Sequence, residues 1–455
     1  MTRILCRGCG SRGSRRINPG DAHVGRPYRL TMMLPVRPRR EAGATTSFYL
    51  LSAVAAFSYA LCFTLNLVFQ FRVIGLDPFQ MVMVGTVLEL TCFLFEVPTG
   101  LVADLYSRRA SVIVGFFLIG AGFVCEGVVT TFAAAIIGNV IWGIGSTFTS
   151  GALQAWITDE VGQEHVAPVF ARETQLGLTF GLAGTLTAGL LGVISLRLPV
   201  IVAGVMFMGL AVLLLAIMPE RHFEPTPRGD RESFDHLRHQ FMEGLAVARN
   251  GRVVKAFLLV SLLVGLASEV VDRLWQVHIL NDFVMPSVFG HDEAIAFTVF
   301  AVIGTAISLG ASLASGRWLP KRVVDEQPGL PVAIAAFVQV AGVLGVALFA
   351  NLWLVLAALW VRGACAAFSA PIESTWINRN LDSSTRATVL SMNEQANAIG
   401  QVGGGPPLGA LATRTSIPIA LVAASAIQLP SVVAFLRVRR LAGTPTRNTG
   451  GLDLQ

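Results

Sequence analysis

Four residues of one apolar run carry more potential chemistry than any other stretch of the chain: Glu269, Asp272, Arg273 and Gln276, spaced i, i+3, i+4 and i+7. On a helix that spacing gathers them on one face. Glu269 and Arg273 can then pair, with Asp272 competing for the same guanidinium. Such a triad either neutralises itself as a static ion pair or releases a carboxylate to take up a proton, and both alternatives stay open. A second run holds Glu89 near its middle and Glu96 seven residues further on. A lone carboxylate away from water is most cheaply kept protonated. Glu89 is therefore a candidate proton site, the alternative being a hydrogen-bonded packing role. Glu96 precedes Val97-Pro98-Thr99-Gly100 at the end of its run, which suits a gate better than a binding site. Arg362, with Glu373 eleven residues on, can pair with a carboxylate of the run that holds Glu269 or of the run that holds Glu394, or receive an anionic substrate group. Asn393, Glu394, Asn397 and Gln401 make one polar stripe, and Asn66 and Gln70 a shorter one. Both can line a cavity or simply hydrogen-bond between helices. Trp142, Trp156, Trp275 and Trp376 can stack on a substrate or serve packing and interfacial roles.

The elements that position these residues follow from hydropathy. Of 455 residues, 53% are hydrophobic and only 14% charged, and the mean hydropathy is +0.64. Soluble domains carry nearer a quarter charged residues, so an ordinary soluble protein is excluded, as are disordered, collagen-like and disulfide-scaffold classes. Apolar runs recur at 48–71, 79–102, 111–130, 132–157, 170–194 and 198–218. Six more follow at 254–280, 293–316, 331–350, 352–377, 387–413 and 416–436. About 20 apolar residues cross a bilayer as a helix, and irregular backbone cannot face lipid. The sequence thus predicts an all-α integral membrane protein of twelve transmembrane helices. In that setting a charge costs roughly 2.5–3.5 kcal/mol on insertion scales, so each intramembrane charge points to function by default.

Orientation comes from the basic residues. The tails and the loops after helices 2, 4, 6, 8 and 10, with the helix ends beside them, hold 29 of the 34. The opposite loops hold only Arg72, Arg197 and Arg414, and the spans Arg273 and Arg362. By the positive-inside rule both termini are cytoplasmic, in the plasma or inner membrane. The basic excess is spent on topology; with no binding module, no nucleic-acid partner is expected. Residues 1–47 are Arg- and Gly-rich without an apolar core, which predicts a disordered basic cytoplasmic tail rather than a signal peptide. Met32 and Met33 offer an alternative start. Cys6 and Cys9 form a CxxC with no second pair, and no metal site is expected. A polar stretch at 219–253 separates a half at 48–218 from a half at 254–437, with a cytoplasmic tail at 438–455. Within the stretch, Phe234, Leu237, Phe241, Leu245 and Ala248 predict an amphipathic helix on the membrane surface, and His236 and His239 lie on its solvated face. Seven identities at a separation of 220 tie the halves together: Gly143/Gly363, Phe148/Phe368, Trp156/Trp376, Ile157/Ile377, Gln175/Gln395, Gly184/Gly404 and Gly189/Gly409. Parallel six-helix repeats place a substrate site between the halves near the midplane.

After the second run comes Gly100-Leu-Val-Ala-Asp104-Leu-Tyr-Ser-Arg108-Arg109. It resembles the loop 2–3 signature of the major facilitator superfamily, G-x-L-a-D-r-x-G-r-k. Gly100, Ala103, Asp104, Arg108 and Arg109 match, while Val102, Leu105 and Ser107 depart. Gly100 permits close helix approach, and Asp104 and Arg108 sit at i, i+4 across a tight turn, where a charge cluster can latch one conformation. The resemblance implies a conformational gate at Gly100, Asp104, Arg108 and Arg109, which Glu96 adjoins. The alternative is a topology determinant without a switching role. The superfamily's antiporter motif of helix 5, GPxxGG, is only half present. Helix 5 has five glycines (177, 181, 184, 189, 192) and no proline, and Gly405-Pro406-Pro407-Leu408-Gly409 of helix 11 is nearer in form. Close helix packing accounts for these glycines equally well.

These readings converge on a secondary transporter that exposes a central cavity alternately to each side. The expected substrate- and proton-coupling set is Glu89, Glu269, Asp272, Arg273, Arg362, Asn66, Asn397 and Gln401. No G-x-x-x-x-G-K-[ST] occurs, so no nucleotide or other cofactor is expected and the proton gradient is the expected driving force. A small-molecule substrate and the lipid bilayer are the expected partners, with a functional monomer. Proton-coupled efflux of drug-like or amphipathic compounds is the first expectation; uptake of a sugar or other metabolite is the alternative. A membrane-embedded enzyme or a transporter-like sensor is the rival class, but histidine is too scarce for a catalytic cluster and no segment is long enough for a sensor domain.

Overall fold

The structure, a computed structural model, describes residues 41–223, 251–286, 293–318, 328–381 and 386–439. The amphipathic helix expected at 231–249, with His236 and His239, and the CxxC of Cys6 and Cys9 lie outside these residues.

Twelve long helices account for nearly all of what is described, and no strand occurs among them. In the first half they are α1 Gly43–Ile74, α2 Pro78–Leu105, α3 Arg108–Val128, α4 Phe132–Val161, α5 Val166–Ile194 and α6 Arg197–Ile217. The second half comprises α7 Arg252–Asp282, α8 Glu293–Trp318, α9 Gly329–Leu348, α10 Leu352–Arg379, α11 Arg386–Arg414 and α12 Ile417–Val438. Capping side chains mark the tight turns. Asp77 and Gln80 form a capping box ahead of α2, with Pro78 in its first turn, and Ser107, Thr131, Asn351 and Ser416 cap α3, α4, α10 and α12. Each satisfies helix N–H groups that have no intrahelical partner. Eleven of the twelve are long and apolar enough to cross a membrane by their own composition. The exception is α11, whose Asn, Gln and Gly residues dilute its hydropathy. It is packed against α7, α12 and α2, so its polar positions meet protein rather than lipid.

Two helices are broken. After Phe63, α1 loses its regular ladder, resumes over Asn66–Phe69 and widens into a π turn at Gln70–Ile74, which Gly75 ends with φ of 76°. In α4 the break falls at Ser150–Gly151, where Gly151 has φ of 67°. Irregular backbone at membrane depth is tolerated where protein or a polar cavity covers it.

The halves repeat each other contact for contact. α1 packs on α5 and α6 as α7 packs on α11 and α12; α3 packs on α4 and α6 as α9 does on α10 and α12; and α2 packs on α4 as α8 does on α10. The glycine identities mark these contacts. A Cβ at Gly184 would strike the Phe57 carbonyl of α1, and one at Gly404 the Leu266 carbonyl of α7. Gly189 and Gly409 sit instead between the halves, against Thr298 of α8 and Val82 of α2. Trp156 and Trp376 are buried at matching helix ends, where the Trp156 indole N–H donates to the Pro219 carbonyl (2.7 Å).

The halves touch at the end of the bundle remote from residues 43 and 438. There Arg72 makes a two-pronged bridge to Glu293 (2.6 and 3.0 Å), and the Phe79 N–H donates to Thr413 Oγ1 (2.9 Å). At the end that bears residues 43 and 438 they part. Residues 93–98 of α2 are exposed all around the helix, as is most of α5 from 171 to 180.

Candidate functional site

A cavity of about 780 Å³ lies between the halves, and α1, α2, α4, α7, α10 and α11 contribute to its wall. Asn66, Glu89, Glu269, Asp272, Arg273, Arg362, Asn397 and Gln401 all line it. Aromatic cover comes from Phe63, Trp142 and Trp275. The other two tryptophans, Trp156 and Trp376, are too deep in their helix ends to reach a substrate. Continuous with the cavity through Phe63, Asp272, Gln276 and Arg362 is a second space of about 660 Å³ that extends between α5 and α8.

The charges of α7 resolve into two pairs rather than one contested triad. Arg273 Nε lies 3.4 Å from Glu269 Oε2, and Asp272 Oδ1 accepts from Arg362 Nη2 of α10 at 3.4 Å. Helical spacing of i, i+1 made Asp272 a competitor for Arg273, but the residue turns into the cavity, its side chain 58% exposed, whereas Glu269 is only 7% exposed. Glu269 and Arg273 lie against the α2 backbone at Gly85, where any side chain would overlap them. Arg273 is also within Coulombic reach of Glu89 and of Glu126. Glu89 makes no ion pair among the described residues, which leaves one cavity carboxylate without a cation of its own.

Glu126 is the site residue that sequence reasoning missed. It is 2% exposed on α3; Gln70 Nε2 donates to its Oε1 (2.6 Å), and Asn139 Nδ2 to its Oε2 (3.2 Å). It lies near the end of its apolar run, where a carboxylate passes for an interfacial residue. The signal was the amide on each of two neighbouring helices at the same depth. Polar atoms at and near the cavity are left over: Asn66 Oδ1, Gln70 Oε1, Thr86 Oγ1 and Gln276 Oε1 are buried without a hydrogen-bond partner among the described residues. Gln276 Nε2 meets the Thr64 carbonyl, freed by the break in α1, at 3.5 Å. On α11, Gln401 donates to Asn397 (2.5 Å), and Asn397 to the Ser261 carbonyl of α7 (3.2 Å).

The 100–109 segment forms a separate cluster outside the cavity. Arg108 bridges Asp104 (3.4 Å) and also pairs with Asp159 at the end of α4. Arg109 donates through its side chain to the Leu215 carbonyl of α6 (2.6 Å) and through its N–H to Glu220 (2.9 Å). None of these partners belongs to the second half: Asp104, Asp159 and Leu215 lie in the first, and Glu220 just after α6. Glu96 accepts from Ser150 at the α4 break (2.8 Å), so it does not join Glu89 in the cavity. Gly100, read from sequence as a point of close helix approach, has nothing within 4 Å of where a Cβ would stand. The parting of the halves at this end removes the neighbour such an approach would need.

Two like halves, closed on each other at one end and parted around a polar cavity at the other, define a secondary transporter. The family model of the Major Facilitator Superfamily matches residues 48–347, and the chain belongs to that superfamily. An uncharacterized MFS-type transporter of Bacillus subtilis (strain 168), YxaM, is 20% identical over 366 residues, which span 80% of this chain and 88% of that protein. Among solved structures, the nucleoside transporter NupG superposes with a TM-score of 0.70 at 14% identity, covering 87% of this chain and 98% of its own. A bacterial homologue of the human lysosomal transporter Spinster, in an inward-facing and unoccupied conformation, gives 0.67 at 14% identity, covering 90% and 99%. At these identities the two structures establish the fold alone.

Proposed function

We propose that the protein exports drug-like or amphipathic compounds across the cell membrane in exchange for protons, by alternating access between its halves. The observation that carries this reading is the make-up of the cavity: aromatic walls from Phe63, Trp142 and Trp275, with Glu89 set among them without an ion-pair partner. With cytoplasmic termini, the parted end faces the cytoplasm, ready to load an export substrate. Proton uptake is assigned to Glu89 or to the Glu269–Arg273 and Asp272–Arg362 pairs, where neutralising one carboxylate would loosen its partner arginine. The segment from Gly100 to Arg109 is assigned the gate at the cytoplasmic end. A second reading, uptake of a hydroxylated metabolite, draws on the unpartnered Asn66 and Gln276 oxygens, which suit hydroxyl donors.

The test uses inverted membrane vesicles with a pH-sensitive dye and a panel of candidate compounds, comparing wild type with Glu89→Gln and Asp272→Asn. The expected result is a substrate-evoked collapse of the imposed proton gradient that either substitution abolishes. Substrate flux without proton movement, unchanged in both variants, would overturn the proton-coupled reading.

A further inference from the structure

We propose that the second half contains an amine-binding chamber, separate from the central cavity, that seats the ammonium head of an amphipathic substrate on Glu373. The chamber, of about 320 Å³, is enclosed by five helices of that half, α7 and α9 to α12. Its polar lining is unusual for the inside of a six-helix bundle: Gln339 from α9, Ser369 and Glu373 from α10, and Gln428 and Ser431 from α12. A buried amide or hydroxyl without a partner is costly, yet Gln339, Gln428 and Ser431 have no protein hydrogen-bond partner among the described residues. Gln428 is 6% exposed and Ser431 2%, so lipid does not explain them. Glu373 forms no ion pair among the described residues, and the hydroxyl of Ser369, one turn before it, donates to the Ala366 carbonyl (3.4 Å).

A chamber with one unpaired carboxylate and several acceptor oxygens matches a protonated amine. The carboxylate supplies the charge-assisted bond. The Gln339 and Gln428 amide oxygens and the Ser431 hydroxyl can accept the remaining N–H groups. Its volume is at the small end for a whole drug-sized ligand and suits an aminoalkyl head. Val264, Arg362 and Asn397 line both this chamber and the central cavity. A head seated on Glu373 would therefore leave an apolar remainder among Phe63, Trp142 and Trp275. Arg362 stands at that shared wall with its charge offset by Asp272 at 3.4 Å, and the Glu373 carboxylate would turn away a carboxylate-bearing head. This inference deepens the amphipathic-substrate reading above and rests on it for the placement of the apolar remainder.

Calorimetric titration of the full chain in lipid nanodiscs tests it, with 4-phenylbutylamine and its neutral analogue 4-phenylbutanol as probes. The wild type is expected to bind the amine tighter than the alcohol by roughly tenfold or more, the scale of a charged hydrogen bond. Glu373→Gln should erase that preference and Gln428→Leu should weaken it, whereas Glu89→Gln should retain it. A preference that survives Glu373→Gln, one that Glu89→Gln removes, or no preference in the wild type would overturn the chamber. Thermal unfolding of each unliganded variant separates loss of the site from loss of the fold. Failure of the vesicle experiment alone would sink proton-coupled export and leave the amine site standing.

Discussion

Replacing Gly404 by alanine and, separately, its neighbour Gly403 by alanine should move stability in opposite directions. Both lie in the same run on α11. At Gly403 a Cβ would meet Leu266 Cδ2 at 3.8 Å, an ordinary contact. Removing a glycine from a helix interior there should stabilise by roughly 0.5–1 kcal/mol. At Gly404 the Cβ would overlap the Leu266 carbonyl oxygen and stand 2.5 Å from its carbon and 2.6 Å from its Cα. Those are backbone atoms, which cannot rotate away, so α7 and α11 must separate along their shared face. Overpacking of that kind costs roughly 1–3 kcal/mol, and the two variants should differ by about 1.5–4 kcal/mol with opposite signs. Thermal unfolding followed by tryptophan fluorescence, at one scan rate because membrane proteins commonly unfold irreversibly, reads the difference. Gly403→Ala should melt at or above the wild-type temperature and Gly404→Ala clearly below it. Equal shifts, or a Gly404→Ala variant as stable as wild type, would refute the account of the α7–α11 contact.

Gly85→Ala should fold but lose coupling: its Cβ would overlap the Glu269 carboxylate and stand 2.5 Å from Arg273 Nε, ends of side chains that can swing aside while the backbone stays. An unaltered dye response in vesicles would contradict this. For the bridge between Arg72 and Glu293, with side chains 39% and 27% exposed, a double-mutant cycle on thermal stability should give a coupling of about 0.2–1 kcal/mol that shrinks with salt. A larger, salt-insensitive value would mean that the pair is shielded from solvent. Glu126→Leu should destabilise by about 1–3 kcal/mol for each amide donor it strands on Gln70 and Asn139, whereas Glu126→Gln keeps an acceptor and should cost less; identical melting of the two would show that these hydrogen bonds contribute nothing.

The helices were legible because bilayer thickness sets their length and lipid forbids unpaired backbone, so apolar runs translate almost directly into elements. The repeat at 220 was legible for a related reason. Glycines at close crossings cannot drift: Gly184 and Gly404 preserve one crossing within each half, and Gly189 and Gly409 one contact of each half on the other. The tight α7 set stood out because charge in an apolar run is conspicuous. Arg362 was legible as a partner for a carboxylate of α7 or α11, but not for which one: local spacing set Asp272 beside Arg273, whereas α10 faces the cavity and brings Arg362 to Asp272, ninety residues away in sequence. The unpartnered Gln339 and Gln428 were hidden for the opposite reason: a single amide in a long apolar run is ordinary, and only the convergence of α9, α10 and α12 gives the pair a common chamber.

Which end of the bundle is shut was not written in the repeat, because symmetry-related glycines serve both halves alike. It depends on unsymmetrical contacts, Arg72 with Glu293 and Phe79 with Thr413, whose types and positions have no counterpart at a separation of 220. The Gly100–Arg109 segment shows the same asymmetry from the other side. With this end open, Arg108 already holds Asp104 and Asp159, both within the first half. A gate role would require its guanidinium to give up one of these carboxylates for a partner in the second half, so closure would exchange one ion pair for another. A carrier must populate both states, and a shift from 99:1 one way to 99:1 the other takes about 5.5 kcal/mol of differential binding. Exchange of like for like keeps the gate's own bias well below that figure, which leaves differential binding at the cavity to decide the direction.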